Sequence, residues 1–459
     1  MSFFKEHKFA IGIFALALAM RLFYLGVSLQ ANDGNLANAI SGADGYFTIS
    51  QNLIDGHGLT DSEAPPYKPY SFRPPLFHYF LAGAYFLLGG WWGAILLYIA
   101  IGSLLPILGM RIASYLTENK YILMALGVVL ALEPSAILYS TTFYSETFFM
   151  LWFFLALWAL FEYMRSGRFL HLGASAFLLG LSALTRPTSE YLPVIVIGAL
   201  LFFGRRQLSR RHLYHLAGYA AIFVLVLAPW LYRNWTIWGV ADLSPQMGVN
   251  LHMTLLPTVY SIERGTTFQQ EFSALEKSGI KGPNNADLKE GEEYKKKAIP
   301  LLLAHPKALA LSAVNSEISF FMLDGVFDFL RHIKIRPPEM LGKPSLAALT
   351  TDPAGFVQYF GRNIASPLAL ILLGRLIWIG ITVAFLVAVW RQFFTARFSL
   401  HARVAVLVVL YFALTALITG YGLTARYRLP VNVFVIIFAL CEVAAAAPWL
   451  IKKARRLHA

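Results

Sequence analysis

Charge is scarce in this 459-residue sequence: Asp, Glu, Lys and Arg make up 14% of it, while 57% is hydrophobic. A soluble globular chain carries about 25% charged residues. So few charges cannot coat a water-facing surface around that much apolar material, which excludes a soluble enzyme and a disordered protein. There is a single cysteine, Cys441, so an intramolecular disulfide and a cysteine metal cluster are excluded. It lies in an apolar run and reads as a packing residue. The chain also lacks a G-x-G-x-x-G run after a strand and a P-loop. It has no heptad series, low-complexity tract or internal repeat, and the missing repeat argues against an inverted-repeat transporter. A bilayer protein is what remains, and the expected fold class is an all-α polytopic membrane protein with about ten transmembrane helices and two large external loops.

A helix needs about 20 mostly apolar residues to cross a bilayer. Ten stretches qualify: Lys8–Ser28, Trp91–Ile112, Tyr121–Tyr139, Ser145–Tyr163, Phe169–Thr185, Ser189–Gly204, Leu213–Leu231, Pro367–Trp390, Ala402–Tyr421 and Leu429–Ile451. The first is too long, and too poor in small flanking residues, for a cleaved signal, and reads as a retained helix. Leu76–Gly89 is apolar but short, and the charges decide its role. If it does not cross and the N-terminus is inside, the inside segments hold 17 basic and 3 acidic residues, as the positive-inside rule asks. If it crosses, the basic groups at 205–211, 391–403 and 452–456 all move outside. It is therefore expected to be interfacial or re-entrant, with both termini cytoplasmic. The net charge of +13 is then a topology code and a contact for anionic lipid, and nucleic acid is not an expected partner.

This topology divides the chain into an N-terminal membrane module, 1–235, with a first external loop at 29–75; an external region, 236–366, with interfacial helices; and C-terminal membrane helices, 367–459. Tyr232–Ser366 is nearly neutral, with breakers at Gly279–Asn285 and a helical stretch around Glu292–Met322. Ionisable residues beside spans are costly and are functional candidates. Those expected on the outer face are Asp44, in Ala43-Asp44-Gly45-Tyr46; Arg73, with Lys68 and His78 near it; Glu133; Glu146; Arg186; Glu190; and Arg426 and Arg428, which flank Tyr427. Each has a plainer reading taken alone. Asp44 suits a turn, Glu146 with Ser145 suits a helix start, His57 and His78 suit structural hydrogen bonds, and the arginines suit headgroup anchors. Two acids and at least three arginines on one face point further. A carboxylate can take a proton from an acceptor hydroxyl, and arginines can hold a phosphate leaving group in bidentate fashion. With no nucleotide fold present, a lipid-linked phosphate donor fits.

The order of short motifs resembles the polyprenyl-phosphate-sugar-dependent glycosyltransferases of the membrane GT-C class, in the branch holding dolichyl-phosphate-mannose protein mannosyltransferases and the bacterial lipid A aminoarabinose transferase. The carrying residues are Asp44-Gly45-Tyr46-Phe47, Asn52-Leu53-Ile54-Asp55-Gly56-His57-Gly58 and Arg73-Pro74-Pro75-Leu76-Phe77-His78, where His78 replaces the family's second proline. They continue with Leu132-Glu133-Pro134, Tyr139-Ser140 and Ser145-Glu146-Thr147, then Gly180-Leu181-Ser182-Ala183-Leu184-Thr185-Arg186-Pro187, Pro229-Trp230-Leu231-Tyr232-Arg233-Asn234 and Arg426-Tyr427-Arg428-Leu429-Pro430. The resemblance implies Asp44 as catalytic base and Glu146 as the acid that positions substrate or a metal. It implies Arg73, Arg186 and Arg426, joined by Lys68, at the donor phosphate. Tyr46, His78, Tyr427 and Arg428 are expected at the substrate. No cofactor is certain; metal use varies across the class, so a divalent cation stays open.

The expected function is an inverting sugar transfer, at the outer face of the cytoplasmic membrane, from a polyprenyl-phosphate donor to a hydroxyl of a lipid, glycan or protein acceptor. The acceptor is expected to dock against Tyr232–Ser366. The rival is a transporter or flippase of lipid-linked saccharides, which would want deep membrane charges or matched halves. Arg21, Arg375 and Glu442 are the few deep charges, and they are scattered along the sequence. An accessory protein that lost catalysis is a third reading, against which the two acids argue.

Overall fold

The computed structural model describes residues 2–203, 209–277, 286–335, 353–363, 366–394, 398–419 and 424–457. The expected breakers at Gly279–Asn285 and the basic residues Arg205, Arg206 and Arg397 lie outside the described residues or at their edge. The described chain is helical, with no strand among those residues: α1 Ser2–Ala31, α2 Leu36–Ile40, α3 Tyr46–Ile54, α4 Leu76–Leu87, α5 Trp91–Ala113, α6 Lys120–Leu132, α7 Pro134–Thr141, α8 Glu146–Ser166, α9 Phe169–Ala183, α10 Leu192–Phe203 and α11 Arg210–Trp238. The second half continues with α12 Gln246–Asn250, α13 Leu256–Arg264, α14 Phe268–Lys277, α15 Leu288–Leu303, α16 Pro306–Met322, α17 Val326–His332, α18 Pro353–Asn363, α19 Leu368–Phe394, α20 Leu400–Ala416, α21 Thr424–Arg428 and α22 Asn432–Leu457. It is an all-α polytopic membrane protein.

The expected count of ten full spans is not confirmed: seven helical stretches are long and apolar enough to cross among the described residues, or up to nine if each of two bent helix pairs is one span. The seven are Lys8–Ala31, Trp91–Ala113, Glu146–Ser166, Arg210–Trp238, Leu368–Phe394, Leu400–Thr419 and Ala425–Ala446. The stretch read as Tyr121–Tyr139 is two helices, α6 and α7, bent by 51°. Those read as Phe169–Thr185 and Ser189–Gly204 are the shorter apolar helices α9 and α10. Composition counts apolar residues and does not see where a chain breaks. α4 has 12 residues, a length of about 18 Å at 1.5 Å per residue, well short of the ~30 Å hydrocarbon core. Phe77 and Leu81 pack inward on it while Tyr79, Phe86 and Leu87 are exposed.

The break between α6 and α7 has a local cause. Pro134 opens α7 and holds Glu133 extended, at φ −63° and ψ 123°. The Glu133 carboxylate then caps α7 by accepting from the Ala136 N–H at 2.5 Å. The deep residue Arg21 closes the break from the side, donating to the carbonyls of Ala17, Ala131 and Ala136 at 3.0, 3.3 and 3.5 Å. Its charge is used to satisfy backbone that the break leaves open.

The two long segments between spans share a small core of Ile49, Tyr70 and Phe72 from the first with Val249, Met253, Ala286 and Tyr294 from the second. Ser244 Oγ donates to the Phe72 carbonyl at 2.7 Å, which fixes the backbone just before Arg73. Further along, α17 leans on the membrane module. Tyr24 Oη donates to the Phe329 carbonyl at 2.7 Å, and His332 Nε2 lies 3.1 Å from Ser28 Oγ and 3.3 Å from Thr142 Oγ1.

Arg428, expected at the substrate, is instead a pin between α16 and the last helices. It is fully buried. Its Nη1 donates to the Phe320 carbonyl at 2.5 Å, Nη2 donates to the Leu323 carbonyl, and Nε donates to Asn432 Oδ1 at 3.0 Å. The guanidinium lies 3.5 Å from the centre of the Trp378 ring in α19. Asp324 beside it receives Arg375 at 3.7 Å. Arg428→Met would leave two buried carbonyls without donors, at about 1–3 kcal/mol for each. The expected outcome is a melting temperature several degrees lower in detergent, with faster hydrogen exchange over 306–332. Arg428→Lys restores only part, because one ammonium cannot replace the fork. Unchanged melting and exchange in Arg428→Met would refute the pin.

Candidate functional site

Helix direction brings the expected acids and arginines to one end of the bundle. That end holds the last turn of α1, the last turn of α7, the first turn of α8, the end of α9 and the start of α22. The segment linking α2 and α3 enters it. Asp44 sits there, before Gly45, whose φ of +76° is open to glycine without strain. Gly45 is the residue that caps α3, and no side chain makes a capping bond there. The plain turn reading of the Asp44 carboxylate is therefore set aside. Its Oδ1 receives Arg73 Nη2 at 3.2 Å, and its Oδ2 receives Arg426 Nη2. Arg73 Nε also donates to the Asp44 carbonyl at 3.0 Å, so one arginine holds both backbone and side chain.

Glu146 opens α8, where the helix dipole favours a negative group. Ser145 precedes it but makes no capping bond. Ser145 Oγ instead accepts from Arg186 Nη1 at 3.0 Å and from Tyr46 Oη at 2.9 Å. Glu146 Oε1 accepts from Arg186 Nη1 at 2.5 Å and from Arg426 Nε. Its Oε2 is buried with no partner. Arg186 is extended, at φ −145° and ψ 133°, as the residue before Pro187 must be. That conformation turns its side chain off the α9 axis toward α8.

Five side chains that sequence reasoning singled out thus form one continuous ionic cluster, Arg73–Asp44–Arg426–Glu146–Arg186. Arg426 is the shared member. Aromatic faces wall it: Arg426 lies 4.8 Å from the Tyr144 ring centre and 5.4 Å from that of Tyr139, and Arg73 lies 5.0 Å from that of Tyr46. The two acids differ in access. The side chain of Asp44 is 13% exposed and that of Glu146 is 2% exposed, so Asp44 is the more accessible carboxylate. Burial pushes the Asp44 carboxyl up, but Arg426 and then Arg73 outweigh it and hold it well below the usual carboxylate range.

Other expected residues are placed differently. Tyr46 is in the cluster through its hydroxyl. His78 is fully buried behind it, 4.8 Å from the Tyr46 ring centre, with both ring nitrogens unpartnered. Lys68 is exposed on the first loop, and its backbone N–H donates to Ser62 Oγ at 3.2 Å. No bond joins its side chain to the cluster. Tyr427 packs against the main apolar core, and Arg428 is the pin described above. Ser145, Tyr139 and Tyr144 were missed as site residues, although each stands in or beside a quoted motif. Among the described residues, no group of three or more His, Cys, Asp or Glu side chains is set to hold a metal ion.

Residues 72–232 match the family model of dolichyl-phosphate-mannose-protein mannosyltransferase. The matched stretch is about a third of the chain and agrees with the resemblance read from the motifs. It spans Arg73, Glu146 and Arg186, while Asp44 and Arg426 lie outside it. No curated protein matches the chain.

Removing one member of a buried ion pair costs about 3–5 kcal/mol because the other charge is left uncompensated. Glu146→Gln leaves three arginines around one carboxylate and is expected to lower melting in detergent by several degrees. Adding Arg186→Gln should recover part of the loss, a coupling that a double-mutant cycle reads. The Asp44 contribution has a defined pH sense. A carboxyl with a lowered folded pKa stabilises fully above its unfolded value of about 3.9 and loses that contribution as pH falls through the folded value. The melting difference between wild type and Asp44→Asn is therefore expected to be flat from pH 8 to pH 5 and to shrink below about pH 4. A difference that fades between pH 7 and pH 5 would contradict the ion-pair assignment.

Proposed function

We propose that this protein is a membrane glycosyltransferase that moves a sugar from a polyprenyl-phosphate donor to an acceptor hydroxyl at the outer face of the cytoplasmic membrane, with inversion. The observation that carries the reading is the cluster itself: two carboxylates and three guanidiniums, drawn from distant parts of the chain, at one end of an apolar bundle. Asp44 Oδ2 takes the proton of the acceptor hydroxyl, whose oxygen attacks the anomeric carbon. The bond from that carbon to the phosphate oxygen breaks, and the phosphate leaves into the arginines. Glu146 orients Arg186 and Arg426. The shared core of the two external segments supports docking of the acceptor against the second one.

The transporter reading expects charges deep in the membrane or matched halves. The deep charges present have structural partners. Arg21 closes the α6–α7 break, Arg375 meets Asp324 at 3.7 Å, and Glu442 meets Arg391 at 2.9 Å. This favours the enzyme.

Asp44→Asn is expected to abolish transfer of radiolabelled sugar from polyprenyl-phosphate donors to membrane fractions, while the protein elutes as wild type in detergent. Full activity in the folded variant would remove Asp44 as the base. For the orientation, a cysteine at Ser62 in a Cys441→Ser background is expected to react with an impermeant thiol reagent on intact cells, and one at Ser209 only after the membrane is opened. The reverse pattern would invert the topology.

A further inference from the structure

Arg426 differs from the other two arginines in what it holds. Asp44 has Arg73 at 3.2 Å and Glu146 has Arg186 at 2.5 Å, so each acid is paired without it. Arg426 bridges the two, reaching Asp44 through Nη1 and Nη2 and Glu146 through Nε. The atom-level pattern matters for the chemistry. Asp44 Oδ1 is bonded by Arg73, with Arg426 Nη1 further away at 3.4 Å. Asp44 Oδ2 is bonded by Arg426. In this arrangement the oxygen that would take a proton is occupied by a cation, and a carboxylate so held is a weak base. Three guanidiniums against two carboxylates also leave the cluster with one formal positive charge in excess.

We infer that Arg426 is an exchangeable cation, handed from the two carboxylates to the phosphate of the donor, and that this exchange frees Asp44 Oδ2 as the base. The inference rests on the lipid-phosphate donor proposed above. A sugar-linked phosphodiester carries one negative charge, which matches the excess in the cluster. When its phosphate takes the Arg426 fork, Arg73 still holds Oδ1 and Arg186 still holds Glu146, so both acids keep their orientation. Oδ2 is released to face the acceptor hydroxyl. In the transfer step the hydroxyl proton goes to Oδ2, the new bond forms to the anomeric carbon, and the electron pair of the broken bond stays on the phosphate. The phosphate thereby gains a second negative charge beside Arg426. The donor must therefore bind before the base is competent. Arg426 is a catalytic residue by this account, because it touches the leaving group.

Competition between carboxylate and phosphate for one guanidinium has a signature that general electrostatics lacks. The probe is farnesyl phosphate, with farnesol as the tail control, titrated into detergent-purified protein. Asp44→Asn is expected to bind the phosphate about tenfold tighter than wild type, equivalent to about 1.4 kcal/mol, because Arg426 no longer has to leave a carboxylate. Arg426→Gln is expected to bind at least about tenfold weaker. Asp328→Asn is the field control. Asp328 in α17 is close enough to interact with Arg426 electrostatically but makes no hydrogen bond or ion pair to it, and its variant should stay within about twofold of wild type. Asp44→Asn binding no tighter than wild type would overturn the exchange, as would equal tightening in Asp328→Asn. If neither wild type nor a normally eluting Asp44→Asn binds farnesyl phosphate above farnesol, the lipid-phosphate donor itself falls. The Asp44→Asn arm stands even if Arg426→Gln fails to fold.

Discussion

One guanidinium shared by two carboxylates holds the functional end of this protein together. Arg426 comes from a five-residue helix near the C-terminus, Asp44 from the first external loop and Glu146 from the first turn of α8. Arg73 and Arg186 each pair one of these acids and Arg426 joins the two pairs, in an apolar surround where water is a poor competitor. Charge pairs are strong under those conditions and expensive to leave incomplete. The cluster therefore acts as a long-range clamp. It joins segments more than 380 positions apart in sequence, and the helices that carry them must meet at one end for any of the charges to be tolerated.

The Arg426-Tyr427-Arg428 run divides its work by side-chain direction. Arg426 faces the acids, while Arg428 turns to the carbonyls that end α16 and to the ring of Trp378. The residue between them packs into the apolar core. Consequently the same short helix fixes the ionic cluster and the approach of the second external segment. A shift of that segment would be felt at Arg426 through a single turn of chain. The shared core around Tyr70 and Phe72, with Ser244 fastening the Phe72 carbonyl, makes a second link of this kind, at Arg73. The two long segments between spans and the cluster are thus mechanically joined at two of the three arginines.

How much of this was legible in the sequence depended on the kind of signal. Low charge and long apolar runs gave the membrane class, because burial in lipid acts on composition. Motif order gave the five members of the cluster, because each carries a charge that a span would otherwise reject. Breaks and directions were harder. The bend at Glu133-Pro134 turns on a backbone constraint and a cap, and an apolar count passes over both. Arg428 and His78 were read as substrate residues from their neighbours in sequence. Arg428 stands two positions from Arg426, about 200° around the helix, so the two side chains point to opposite sides. Ser145 was read as a cap from its position before α8, but its hydroxyl is taken by Arg186 and Tyr46. A local propensity gave way to a tertiary contact.

The arrangement of charges also bears on how such a site holds its shape. Three arginines without anions would repel one another in a medium that screens poorly. Two carboxylates placed among them supply counter-charge when no phosphate is bound, and they can do so without leaving their own arginines. The resulting network is nearly neutral and stable, yet one charge short of balance. A site with no acids would need a permanent anion to hold its shape, and one with a third acid would have no charge left to attract a phosphate. Two acids against three arginines is the composition that keeps the fold intact when the site is empty and still leaves it attractive to a singly charged diester.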